Sequence, residues 1–145
     1  MYFVDRDQIE QTLEFLDGQI EFFEGNKSWE TPMEKAALER VAHTMVEAIL
    51  DVGNAMIDGF IMRDPGSYED IIDILDDEKV VTLEISAGLK KMVLFRKMLV
   101  QQYTAVDHAS LIQTFQSELP QLKLYSKKVR EYLTNELGPV SAFKK

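Results

Sequence analysis

The sequence predicts an all-α fold: an up-and-down bundle of four main helices with one or two short extra helices. Three observations predict it. Apolar residues recur at spacings of three and four through long stretches. Helix-start residues and Gly or Pro stops fall between those stretches. Alternating strand patterns are absent, apart from Lys79-Val80-Val81, which is too short to count. The 145 residues suit one domain, 1–145, with a core of its own. A hydrophobic content of 46% is too high for a disordered chain.

The first helix is expected from about Asp7 to Phe23. Ile9, Leu13, Leu16, Ile20 and Phe23 share one face, and Glu10, Glu14, Asp17 and Glu21 face away. Gly25-Asn26-Lys27-Ser28 breaks it. Trp29 in the following loop is expected to cap the end of the bundle.

The second helix opens at Thr31-Pro32-Met33-Glu34, which has the form of a capping box with Pro at the first helical position. It is expected to run to about Gly59. Leu38, Val41, Met45, Ala48, Ile49, Val52 and Met56 form its apolar face. Opposite lies a polar stripe of His43, Glu47, Asp51, Asn54 and Asp58, all within about 80° of arc. Val46, Leu50 and Ile57 flank that stripe, so apolar residues cover more than half of the circumference. That excess predicts burial on two sides, the second against another chain.

Asp64-Pro65-Gly66-Ser67 is a turn, and Ser67 caps a short helix through about Asp76. Thr82 caps a long helix that is expected to continue to Tyr103. At about 100° per residue, Ile85, Leu89, Met92, Leu99 and Val100 fall within roughly 60° of one direction. Leu94 and Met98 form a second apolar surface, which again points to a homodimer. A break follows near Thr104 to Asp107, with Asp107 capping the next helix. Pro120 is expected to kink or restart that helix, and Gly138-Pro139 ends the last one.

Chemistry is excluded more readily than assigned. The chain has no cysteine, hence no disulfide framework, zinc knuckle or thiol nucleophile. No Gly-rich phosphate loop and no Gly-x-Ser-x-Gly elbow occur. His43 and Glu47 offer two metal ligands only, so neither a metal nor a cofactor is expected. The net charge of −9 repels nucleic acid at long range, so DNA is not expected as a partner and RNA only weakly, through a local basic pocket. No basic start followed by an apolar run and no membrane-length apolar stretch is present, which predicts a cytoplasmic protein without a membrane partner.

One residue stands out against this background. Arg96 points about 20° from the Ile85 direction, along the middle of the apolar stripe, and Tyr103 falls on that stripe too. A guanidinium is always charged and is costly to bury alone. Glu47 or Asp51 is the natural partner, within the subunit or across a dimer, and a phosphate can compete for the same fork. An Arg satisfied at a bundle seam remains the alternative.

The stretch Phe95-Arg96-Lys97-Met98-Leu99-Val100-Gln101-Gln102-Tyr103 also matches a family pattern, Arg-x4-His-x-Tyr after an apolar residue. Together with Leu38-Glu39-Arg40, the run Val46 to Asn54 and the Tyr68 to Leu75 helix, it resembles the HepT-like ribonucleases of the HEPN superfamily. The likeness spans about Met33 to Leu133. The resemblance implies a dimeric helical toxin that cleaves RNA without a metal. Arg96 would hold the scissile phosphate, and a partner nucleotidyltransferase antitoxin would attach AMP to Tyr103. The position of the proton-moving imidazole is Gln101 here. A neutral amide does no acid–base work near pH 7. His108 lies seven residues beyond it, past the break. The expectation is thus a HepT-like protein with weak or lost cleavage. The alternatives are a non-catalytic dimeric interaction protein and a binder of a small anion or nucleotide.

Overall fold

The computed structural model describes residues 2–138, and six helices hold them: α1 Arg6–Gly25, α2 Pro32–Gly59, α3 Tyr68–Asp77, α4 Leu83–Val93, α5 Arg96–Val100 and α6 His108–Leu137. Of the expected Gly138-Pro139 stop, Gly138 caps α6 and its N–H donates to the Thr134 carbonyl at 2.8 Å, while Pro139 lies outside the described residues.

Capping fixes most of the helix starts. The Asp5 carboxylate accepts from the Gln8 N–H at 3.1 Å, which starts α1 one residue before the expected Asp7. The Thr31 hydroxyl accepts from the Glu34 N–H, and the Glu34 carboxylate accepts from the Thr31 N–H, at 3.1 and 2.9 Å. The Ser67, Thr82 and Asp107 side chains accept from the Asp70, Ile85 and Ser110 N–H groups and so cap α3, α4 and α6. Two ends are less ordinary. Ile61 and Lys79, with φ of 56° and 66°, take the left-handed conformation just past α2 and α3. The N–H of the residue after each one bonds back across the turn, Met62 to the Ile57 carbonyl and Val80 to the Leu75 carbonyl.

Helix α2 is the axis of the molecule and packs against α1, α3, α4, α5 and α6. Val46, Leu50 and Ile57 are buried within this one chain. The apolar excess of α2 is therefore covered by its own neighbours, and the inference of a second chain from that excess falls. Gly53 lets α3 come close, since a Cβ there would meet the Ile71 side chain at 2.5 Å. Trp29 stacks on Phe23 at 5.9 Å and closes the end of the bundle. The buried Tyr125 hydroxyl of α6 donates to the Ile49 carbonyl of α2 at 2.9 Å.

Two helices differ from expectation. The expected single helix from Thr82 to Tyr103 is broken between α4 and α5. The Phe95 N–H bonds to the Met92 carbonyl, three residues back instead of four, and this tight turn bends the axis. The Phe95 ring packs edge-on against Phe115 of α6 at 6.0 Å, which holds the bend. Angles extrapolated from Ile85 fail beyond it. Val100 and Tyr103, both expected on the core stripe, are exposed, Tyr103 by 66%. Conversely, α6 runs unbroken through Pro120. Both Pro120 and Gln116, whose carbonyl loses its helical donor, lie on the exposed side, where water can satisfy that carbonyl.

Candidate functional site

The bend between α4 and α5 aims Arg96 at α2. Its Nε donates to Glu47 Oε2 at 2.7 Å, and a terminal nitrogen donates to Oε1 at 3.4 Å. The guanidinium carbon also lies 4.4 Å from the centroid of the Tyr68 ring, at the start of α3. Gly53 and Ile71 set the close approach of α2 and α3, so they help to place that ring. The Arg63 fork on Asp70, at 2.9 Å for each bond, ties the connector to α3. Arg96 is thus held on one side by a carboxylate and on another by an aromatic face. The pairing with Glu47 above all, and then nearby negative charge, pushes its proton affinity above the ordinary arginine value.

Arg96 is not sealed in. It lines a cleft of about 340 Å³ with Ser67, Tyr68, Lys97 and Gln101. The cleft therefore brings together the Arg and the Gln of the motif. Tyr103, the third motif residue, lies past the end of α5 and is not part of its lining. Asp51, one turn along α2 from Glu47, lines a neighbouring groove of about 300 Å³ with Glu47, Gln11 and Phe15. Burial pushes the Asp51 carboxyl above its ordinary range, Glu47 adds to this, and Arg96 opposes it.

The two histidines have different settings. His108 is the first residue of α6, and its Nε2 sits 2.7 Å from Glu39 Oε2. Glu39 lies two helical turns from Glu47, roughly 12 Å along α2. His108 does not reach the Arg96 cleft. The His43 Nε2 lies 4.0 Å from Glu47 Oε2, the same oxygen that Arg96 holds. Among the described residues, no group of three His, Asp or Glu side chains is arranged to hold a metal ion. No helix there is long and apolar enough to cross a membrane.

Sequence reasoning missed Tyr68 as a partner of Arg96. In the sequence it is only the first residue of a short helix, and nothing in local spacing links α3 to α5. The aromatic at a helix start beside a charged cleft was the one signal available.

The fold is an all-α bundle packed around α2, with Arg96 facing an open cleft. The chain belongs to the ribonuclease HepT-like family, whose model matches residues 6–129. A Bacillus subtilis (strain 168) protein called Putative RNase YutE is 51% identical over 144 residues, covering 99% of this chain and 100% of that protein. The solved structure of that cytosolic protein, described there as of unknown function, superposes with a TM-score of 0.95 over 99% of this chain and 100% of its own. A tri-AMPylated Shewanella oneidensis HEPN toxin, solved with its MNT antitoxin, shares the fold at a TM-score of 0.72. It has 19% identity and covers 86% of this chain and 95% of that one.

Proposed function

We propose that this chain is a HepT-like RNA-binding protein with weak RNA cleavage, in which Arg96 holds a phosphodiester and Gln101 takes the place of the motif imidazole. The observation that carries this reading is the meeting of Arg96, Lys97 and Gln101 in one open cleft. A phosphate matches the fork that Glu47 now occupies. The net charge of −9 keeps the encounter with RNA slow and salt-sensitive. Glu47 and Asp51 are the supporting polar groups. The unit is the single domain 1–145, acting in the cytoplasm as a homodimer. Exposed Leu94 together with Met98 and Phe95 offers the apolar surface for a second copy. Tyr103, exposed by 66%, is open to AMP transfer from a nucleotidyltransferase antitoxin.

The test is cleavage of mixed RNA by the wild-type protein, Arg96→Ala and Gln101→His. Slow wild-type cleavage, its loss in Arg96→Ala and a gain of about 100-fold or more in Gln101→His are expected. Absence of cleavage in all three would refute the nuclease reading.

A second reading has one observation in its favour. Arg96 is already paired with Glu47 and covered by Tyr68 inside the chain. A protein that uses this bundle only to bind partners needs no more than that. Arg96→Ala would then change stability and leave RNA untouched.

A further inference from the structure

We propose that His43 is the proton-transfer residue of the Arg96 site, supplying from α2 the imidazole that α5 lacks at Gln101. The proposal rests on the RNA-cleaving reading and names a residue which that reading leaves unassigned.

The chain has two histidines. The ring of His108 is committed to Glu39 at 2.7 Å, two turns away from Glu47. His43 sits one turn before Glu47 on the same face of α2. Glu47 Oε2 connects the two groups, 2.7 Å from Arg96 Nε and 4.0 Å from His43 Nε2. At 4.0 Å the imidazole is near the carboxylate but not hydrogen-bonded to it. No other hydrogen bond occupies the ring among the described residues. Its side chain is 32% exposed, so a strand gripped by Arg96 and lying along α2 can touch it.

The charged and titratable groups around this stretch come from four elements. Glu39, Glu47 and Asp51 come from α2, Arg96 from α5, Tyr68 from α3 over the Arg96 guanidinium, and His108 from α6 through Glu39. Helix α1 brings the uncharged Gln19, bonded to Thr44 at 2.6 Å. An imidazole beside a carboxylate and across from a phosphate-holding arginine has the parts of an acid–base site. The His43 ring takes the proton of a ribose 2′-hydroxyl. The 2′-oxygen forms a bond to the adjacent phosphorus held by Arg96, and the bond from phosphorus to the 5′-oxygen breaks. The departing 5′-oxygen takes a proton from water, and the imidazolium returns its own proton to solvent. The products are a 2′,3′-cyclic phosphate and a 5′-hydroxyl. Glu47 stabilises the imidazolium while it exists.

The experiment is single-turnover cleavage of a mixed-sequence oligoribonucleotide across pH, by wild type, His43→Gln, His43→Asn, His108→Gln and Arg96→Ala. Two replacements of His43 guard against misfolding of one, and circular dichroism checks each. The expected result is a loss of about 100-fold or more in both His43 variants, with the pH dependence flattened. His108→Gln stays within about twofold of wild type, since its ring is committed elsewhere. Wild-type rate and pH profile in the His43 variants, with Arg96→Ala inactive, would overturn the role of His43 and leave the RNA-cleaving reading standing. Absence of cleavage in wild type would overturn both.

Discussion

The guanidinium of Arg96 lies 4.4 Å over the ring of Tyr68 while its fork faces Glu47. The ring therefore does two things at once: it shields the cation from water and fixes the plane of its fork. Tyr68→Phe keeps the ring face and should leave both stability and RNA binding unchanged. Tyr68→Ala removes it and should lower stability by about 1 kcal/mol, read as a shift in the urea midpoint. Equal effects of the two substitutions would show that the hydroxyl, not the face, matters.

Asp51 gives a pH test with a definite sign. Its carboxyl is pushed up by burial first and by Glu47 second. The folded chain thus holds that proton more readily than the unfolded chain. The contribution is complete below the unfolded value and is lost as pH rises through the raised folded one. At neutral pH the ionised Asp51 costs stability. Asp51→Asn is therefore expected to gain at most a few tenths of a kcal/mol at neutral pH, because Asp51 is exposed and solvent screens its charge. The gain should vanish at about pH 3, below the ordinary carboxylate range. A gain of equal size at both pH values would assign the effect to packing.

Ile61 is β-branched and holds φ at 56°, with its side chain 64% exposed. Such a residue gains little from packing and is strained in the left-handed region. Ile61→Gly should stabilise the fold by about 1 kcal/mol, after allowing for the extra freedom of glycine in the unfolded chain. Lys79→Gly, at φ 66° but unbranched, should gain less. Thermal midpoints of the two variants decide this, and a loss in Ile61→Gly would mean that the side chain has a contact worth more than the strain.

Much of the fold was legible because it is written in short-range terms. Thr31, Ser67, Thr82 and Asp107 each announce a helix by a cap that acts over three residues. The apolar face of α2 follows from a single period. What escaped depends on distance. The bend at Leu94 and Phe95 is held partly by Phe115 on another helix, and no local pattern marks it. Beyond that bend the helical angle no longer predicts the side, and Val100 and Tyr103 face solvent. The number of helices packed on α2 was also invisible, so its apolar excess was credited to a second chain. Arg96 was legible as a charge in need of a partner. That the partner is Glu47 of the same chain, and that Tyr68 joins it, is known only from the packing of α2, α3 and α5.

The fork of Arg96 is filled before any ligand arrives. Glu47 is tethered to it, so a visiting anion faces a resident rival at an effective concentration in at least the millimolar range. A solitary phosphate loses that contest under dilute conditions. On the proposed RNA-binding reading, a polymer that also grips Lys97 and the neighbouring cleft would hold where a lone phosphate would not, and chain length rather than base identity would decide what binds.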